Sequence, residues 1–404
     1  MTRAWVVAFL LAGVAFLNYL DRQIIFSLLP LIRQELHCTD TQLGLIATAF
    51  LWVYGSISPF AGFLAVRFGL RRVIVLSLVI WSSITLLTAF ARTPTELITA
   101  RAVMGLSEAF YLPAGLALIA AIHDKTRSRA TALHQSGIYC GMIGGGILGG
   151  WAGTEFGWRP LFIALGVFGV IYGAIVHPVL RSLPAQTAPV ERRDPMPKLA
   201  AQLFATRGYG WMVGVFCIFS ASGWIVLGWM ALYLYERFHL SLTEAAFTAT
   251  FYLNVGSFAG IYLGGWFSDW GRTRVSQIRP KVAGCGFVCS GAALLVVSLA
   301  SNVPLIAVCL AFYGFGRGLF DCNAMPLLCD IAQPQLRAAG YGIFNMVGCL
   351  TGGVMTLVAG LLKQRIGLNG SMLFAAVLTF FAIALLVPFA RTANSCDIGE
   401  AKVA

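Results

Sequence analysis

Charge is what this chain has least of. Asp, Glu, Lys and Arg make up 11% of its 404 residues, against roughly 25% in soluble domains. That shortage excludes an ordinary water-soluble globule. The motifs of chemistry are missing too. There is no GxxxxGK[ST] phosphate loop, no nucleophile with an attendant base, and no His/Cys spacing that suits a metal. Nucleotide-driven work and enzymatic catalysis therefore find no support, and neither a cofactor nor a metal is expected. The ten cysteines are scattered mostly through apolar stretches without a CxxC pair. They read as small packing residues, and a disulfide framework is not expected. A cleavable leader is not expected either, because the first apolar run is about 28 residues long, contains charges and is followed by no small-residue cleavage pattern.

Apolar length is abundant. Hydrophobic residues reach 58% and glycine 44 of 404, with a mean hydropathy of +0.81. Twelve apolar segments have approximate cores at 4–31, 41–65, 73–91, 96–120, 131–153, 158–180, 209–235, 244–268, 282–301, 304–327, 338–362 and 369–390. Each is long enough to span a bilayer with some tilt. The one long connection, 182–207, carries Pro184, Pro189, Pro195 and Pro197 around Glu191-Arg192-Arg193, and reads as a polar linker. The expected organisation is an all-α membrane protein: a six-helix bundle over 1–181, a cytoplasmic linker over 182–207, a second bundle over 208–391 and a cytoplasmic tail over 392–404. With both termini cytoplasmic, nineteen of the 28 Lys and Arg lie inside, six outside (Arg33, Arg92, Arg159, Arg237, Lys363, Arg365) and three in the membrane. That bias sets the orientation. The net charge of +12 is thus a topology signal, and no nucleic-acid partner is expected.

Three pairs of charges break the apolar runs: Asp21 with Arg22 in the first, Arg101 with Glu108 in the fourth, and Arg317 with Asp321 in the tenth. A mid-bilayer charge costs about 2.5–3.5 kcal/mol by insertion measurements, so it persists where it faces a protein interior or an aqueous cavity. Arg22 offers a planar fork of donors suited to a carboxylate; its plain alternative is a structural ion pair. Asp21 is a poor partner for it, because neighbours on a helix point about 100° apart. Asp21 and Glu108 are candidate proton carriers, since burial and a nearby arginine act oppositely on a carboxyl group and a conformational change alters both. Arg101 lies two turns before Glu108 on the same helix face and can pair with Asp21. Arg317 and Asp321 have the spacing of an intrahelical salt bridge, yet sit at mid-membrane depth. Tyr19, Tyr54, Tyr111 and Tyr139 can line a cavity in the first half, and Asn323 and Asn345 can add donors from the second. For each of these a core role is equally open. His134, near the cytoplasmic end of the fifth segment, can titrate, or it is structural.

The halves echo each other. Gly62-Phe63-Leu64-Ala65-Val66-Arg67-Phe68-Gly69 follows the second segment and Gly265-Trp266-Phe267-Ser268-Asp269-Trp270-Gly271-Arg272 the eighth. An offset of 213 places Glu108 on Asp321 and Gly105 on Gly318. Parallel six-helix repeats are a transporter architecture. Gly62 to Arg72 resembles the signature loop of the major facilitator superfamily, and Arg101-Ala102-Val103-Met104-Gly105 resembles its helix-four motif. Within that superfamily, Asn18-Tyr19-Leu20-Asp21-Arg22, Arg101-x-x-x-Gly105-x-x-Glu108-Ala109 and the tract from Arg127 to Arg159 resemble the anion:cation symporter family. Spinster-like transporters share much of the pattern. The resemblance implies alternating access between two bundles related by an axis along the membrane normal, an arginine at Arg22 that contacts a substrate anion, and proton-linked acids at Asp21 and Glu108.

Two positions depart from that pattern. Val66 stands where the loop motif carries an acid, which leaves Asp269 of the second copy, with Arg71 and Arg72, as the candidates for gating contacts. Gly146 stands where the helix-five motif of antiporters carries proline, so Gly141 to Gly150 reads equally as a close helix contact. The expectation is a monomeric inner- or plasma-membrane importer of a small organic anion, such as a sugar acid, with protons. Its rivals are an exporter of a lipid-like or drug-like amphiphile and a non-transporting sensor on the same scaffold.

Overall fold

A computed structural model describes residues 3–123, 126–183, 196–271, 274–333 and 336–400. Residues 184–195 of the expected linker and 401–404 of the expected tail lie outside the described residues. So do the side chains of Val66, Arg127 and Arg129. The described chain is helical throughout: α1 (Arg3–Leu36), α2 (Asp40–Phe68), α3 (Leu70–Thr88), α4 (Pro94–Glu108), α5 (Tyr111–Ile122), α6 (Arg127–Phe156), α7 (Trp158–Arg181), α8 (Met196–Ala205), α9 (Tyr209–Phe238), α10 (Leu242–Gly271), α11 (Ile278–Leu299), α12 (Val303–Ile331) and α13 (Arg337–Glu400).

Helix starts follow their capping residues. Thr39 and Gln42 form a reciprocal capping box at α2, Thr93 precedes Pro94 at the first position of α4, and Asn302 caps α12. Each side-chain oxygen satisfies an N–H that the first helical turn leaves open. Nine stretches among the described residues are long and apolar enough to cross a membrane, among them Pro94–Ile122 and the 54-residue Ala339–Thr392. The last, at 1.5 Å per residue, is long enough for two crossings, and Gly367 breaks it with φ 66° and ψ 177°. Helices α6 and α10, 30 residues each, complete twelve spans. They are rich in glycine, which lengthens a helix without adding hydropathy.

The expected fourth span is interrupted. Ala109 and Phe110 separate α4 from α5, with Pro113 just beyond. A proline has no N–H to offer the carbonyl four residues back, here that of Ala109, and its ring crowds the same group. Periodicity alone showed one continuous helix; the break falls immediately after Glu108.

The chain divides into two units, one of residues 1–193 with 234–250 and one of 194–233 with 251–404. In the first, α1 lies directly on α6. A side chain at Gly137 would strike the Ala12 carbonyl, and one at Gly141 the Phe16 carbonyl. One at Gly145 would come within 2.8 Å of the Leu20 carbonyl, and one at Gly149 within 2.9 Å of Ser27 Cβ. Four glycines at four-residue spacing thus let one backbone rest on another. The second unit uses the same device between α10 and α12, where Gly256 and Gly260 face the Ala311 and Phe315 carbonyls and Gly314 and Gly318 face those of Leu253 and Ser257. Its core is aromatic, with Phe219, Phe287 and Phe320 in mutual contact and Tyr209 stacked on Phe344.

Candidate functional site

The glycine contact seats the stretch Phe16 to Ser27 of α1, and within it Asp21 and Arg22 turn toward α2, α3 and α4. Arg22 Nε donates to Glu108 Oε2 at 2.7 Å, an ion pair between residues 86 apart in sequence. The guanidinium carbon lies 4.2 Å from the centroid of Tyr54, 4.9 Å from that of Tyr19 and 4.9 Å from that of Phe50. Three aromatic rings therefore hold the cation by its faces, while Glu108 holds one edge. Only one of its five N–H groups is committed to a carboxylate.

Glu108 is fully buried (0% exposed), Arg101 1% and Asp21 5%. Asp21 Oδ2 accepts a hydrogen bond from Thr85 Oγ1 of α3 at 3.0 Å. Arg101 stacks on Phe50 at 4.7 Å and donates from Nη1 to Met104 Sδ at 3.1 Å, while its Nε has no acceptor. It does not make the salt bridge to Asp21 that its position suggested. The Phe50 ring thus lies near two guanidinium groups, at 4.9 Å from Arg22 and 4.7 Å from Arg101. The Asn18 side chain also faces Glu108.

Not every expected cavity residue belongs here. Tyr111 is 1% exposed, and its hydroxyl lies 2.5 Å from the Leu11 carbonyl and 3.0 Å from His134 Nε2. A carbonyl only accepts, so the single phenolic hydrogen goes to Leu11 and His134 Nε2 donates to the phenol. Tyr111 thus ties α5 to α1 and α6 and does not line the site. Tyr139 is half-buried on α6. Asn323 Nδ2 donates to the Leu319 carbonyl of its own helix at 2.9 Å, a local bond that withdraws it from a cavity role. Asn345 accepts from Cys349 Sγ at 3.9 Å.

In the second unit Arg317 Nε lies 3.6 Å from Asp321 Oδ2, and its guanidinium stacks on Phe219 at 5.0 Å. A small cavity beside it is lined by Phe219, Ser222, Ser290, Tyr313 and Thr379, with Ser222 and Thr379 hydrogen-bonded at 2.7 Å. Of the candidate gating residues, Arg71 Nη1 donates to the Leu183 carbonyl at 2.7 Å, while Arg72 and Asp269 are exposed. Among the described residues no group of three or more His, Cys, Asp or Glu could hold a metal ion.

Sequence reasoning missed Thr85, Phe50 and Asn18. Threonine and phenylalanine are ordinary in apolar spans, and no local signal distinguishes them. Asn18 did carry one, a buried amide three residues before the charged pair.

The family model of the Major Facilitator Superfamily matches residues 11–278 and 273–401. The chain belongs to the Major Facilitator Superfamily. It is 26% identical to a probable galactarate/D-glucarate transporter of Bacillus subtilis (strain 168), over 94% of this chain and 90% of that one. It is 27% identical to a probable galactarate/D-glucarate transporter of Escherichia coli (strain K12), over 91% of this chain and 90% of that one. Among solved structures it resembles a bacterial homolog of the human lysosomal transporter Spinster, crystallised inward-facing and unoccupied, with a TM-score of 0.85 at 17% identity over 98% of each chain. This superfamily member is therefore a multi-pass membrane transporter with the two-domain fold of its class, and not an enzyme.

Proposed function

We propose that this transporter imports a small organic anion, a sugar acid of the galactarate or glucarate kind, together with protons. The observation that carries the reading is the charge balance around Phe50. Asp21, Arg22, Arg101 and Glu108 are all buried, and with both acids ionised their charges cancel. If Asp21 takes a proton, one positive charge is left over, and Arg101 already lacks a carboxylate within salt-bridge distance. An uncompensated buried charge is costly, so a substrate carboxylate restores the balance and finds a free guanidinium edge on Arg22. Proton and anion are each more stable in the site when the other is there, which is the thermodynamic content of symport. The sugar-acid relatives support this choice of substrate. Arg317 and Asp321, with Tyr54 and Tyr19, complete the proposed set of substrate-facing groups. Asp269, Arg71 and Arg72 are the proposed gating residues.

In this reading the protein is a monomer of the inner or plasma membrane with both termini in the cytoplasm, the halves 1–181 and 208–391 moving by alternating access. The excess of basic residues in the loops assigned to that side supports the orientation. The test is uptake of labelled D-glucarate into proteoliposomes with an imposed inward proton gradient. Accumulation that collapses with a protonophore is expected. Uptake that is equal with and without the gradient overturns the proton coupling, and failure to move any of a panel of sugar acids overturns the substrate class.

A further inference from the structure

Thr85 has one hydrogen and two buried acceptors. Its Oγ1 lies 3.0 Å from Asp21 Oδ2 and 3.1 Å from the carbonyl of Trp81, one turn back along α3. Thr85 is 0% exposed, so no solvent supplies a third partner. We propose that Thr85 is the positioning residue that lets Asp21 exist in both protonation states without any movement of α1 against α3.

The hydrogen count requires two arrangements. With Asp21 ionised, the Thr85 hydroxyl points its hydrogen at Oδ2 and leaves the Trp81 carbonyl to its backbone bond alone. With Asp21 protonated, the new O–H donates to Thr85 Oγ1, and the threonine hydrogen turns about the C–O bond to Trp81. The proton gained sits on Oδ2, and nothing else is made or broken. Only a hydroxyl can be donor in one state and acceptor in the other at a single distance. A methyl group serves neither, and a buried carboxyl group without a partner is costly in both states.

The groups around Asp21 are consistent with this division of labour. From α4 it faces Glu108 and Arg101, and on its own helix it adjoins Arg22, which is engaged with Glu108. Tyr111 of α5 meets α1 at Leu11 and is itself hydrogen-bonded to His134 of α6, and from α7 Tyr172 meets α1 at Leu10. Both contacts are ten or more residues from Asp21, about 15 Å along the helix. Thr85 is the neutral side chain that hydrogen-bonds the carboxyl group. The inference rests on the proton-coupled reading only in its consequence for transport; the hydrogen-bond switch stands or falls by itself.

The experiment is infrared titration of the purified, detergent-solubilised protein without substrate. The protonated-carboxyl band of Asp21 is assigned as the one lost in Asp21→Asn. In Thr85→Val, which keeps the shape and removes the hydroxyl, both protonation states lose a hydrogen bond, but the ionised carboxylate loses the stronger one, so the midpoint of that band is expected to rise by about one pH unit. Thr85→Ser restores the parent midpoint. The same midpoint in parent, Thr85→Val and Thr85→Ser overturns the proposal, and so does the absence of any Asp21-dependent band across the stable pH range. Should Thr85→Val not fold, Thr85→Ala against Thr85→Ser gives the same comparison. In proteoliposomes, Thr85→Val should shift the pH profile of D-glucarate uptake, and Thr85→Ser should restore it. If the parent's uptake ignores the proton gradient while the infrared midpoint still depends on Thr85, the symport reading fails and the switch survives.

Discussion

Replacing Arg22 by lysine keeps the charge and removes the geometry. Arg22 now does two things at once: Nε holds Glu108 at 2.7 Å, and the guanidinium plane rests among three rings at 4.2–4.9 Å with further N–H groups to spare. A lysine ammonium is a single point charge. Satisfying Glu108 takes it away from the substrate, and satisfying the substrate strands a fully buried Glu108. The loss is one charge-assisted hydrogen bond, about 2 kcal/mol, and the stacking advantage of a planar cation over desolvated rings, about 1 kcal/mol. Together, about 3 kcal/mol corresponds to roughly 150-fold in affinity. The assay is D-glucarate titration of purified protein by calorimetry, paired with the concentration dependence of uptake. The dissociation constant should rise by about two orders of magnitude for Arg22→Lys, while thermal unfolding moves by only a few degrees. Affinity and uptake within threefold of the parent would refute the reasoning, because a point charge would then suffice.

Two further outcomes are expected. Glu108→Gln keeps the shape of the side chain and cannot ionise; it should abolish proton-gradient-driven accumulation yet retain exchange of labelled for unlabelled D-glucarate, and undiminished accumulation would remove Glu108 from the coupling path. Gly141→Leu forces a side chain into the Phe16 backbone and should destabilise the protein by about 1–3 kcal/mol or more, read as a lower unfolding temperature in detergent; an unchanged melt would mean that α1 and α6 are not in backbone contact.

How much of this was legible in the sequence depends on range. Hydrophobic length alone marked the spans, and the charges inside them marked the site, because both signals are local and lipid punishes exceptions heavily. The break after Glu108 was hidden behind an unbroken apolar run, with Pro113 the single clue. The partnership of Arg22 with Glu108, 86 residues away, needed α1 and α4 to come within reach of their side chains, which no local pattern encodes. Arg101, placed where it could pair with Asp21, meets an aromatic face and a thioether. Thr85 and Phe50 carry no signature, since their chemistry arises from what is brought beside them. At Asn323 a cavity role and a core role were both open, and its own helix supplies one partner, the Leu319 carbonyl.

The glycines of α6 act as a ruler for α1. Gly137, Gly141, Gly145 and Gly149 each lie against a point on α1 four residues beyond the previous one: Ala12, Phe16, Leu20 and Ile24, the last with Ser27 beside it. Backbone resting on backbone admits only a few registers. Slipping α1 by one residue turns each of its side chains by about 100° and moves it 1.5 Å, which would take Arg22 off its rings and Asp21 away from Thr85 together. Small adjustments of the charged groups are therefore unavailable by sliding this helix, and α1 and α6 must travel as one piece. In the proposed transport cycle Tyr19, Asp21 and Arg22 therefore keep their register against α6, so selectivity engineered by changing Tyr19 should keep its geometry throughout.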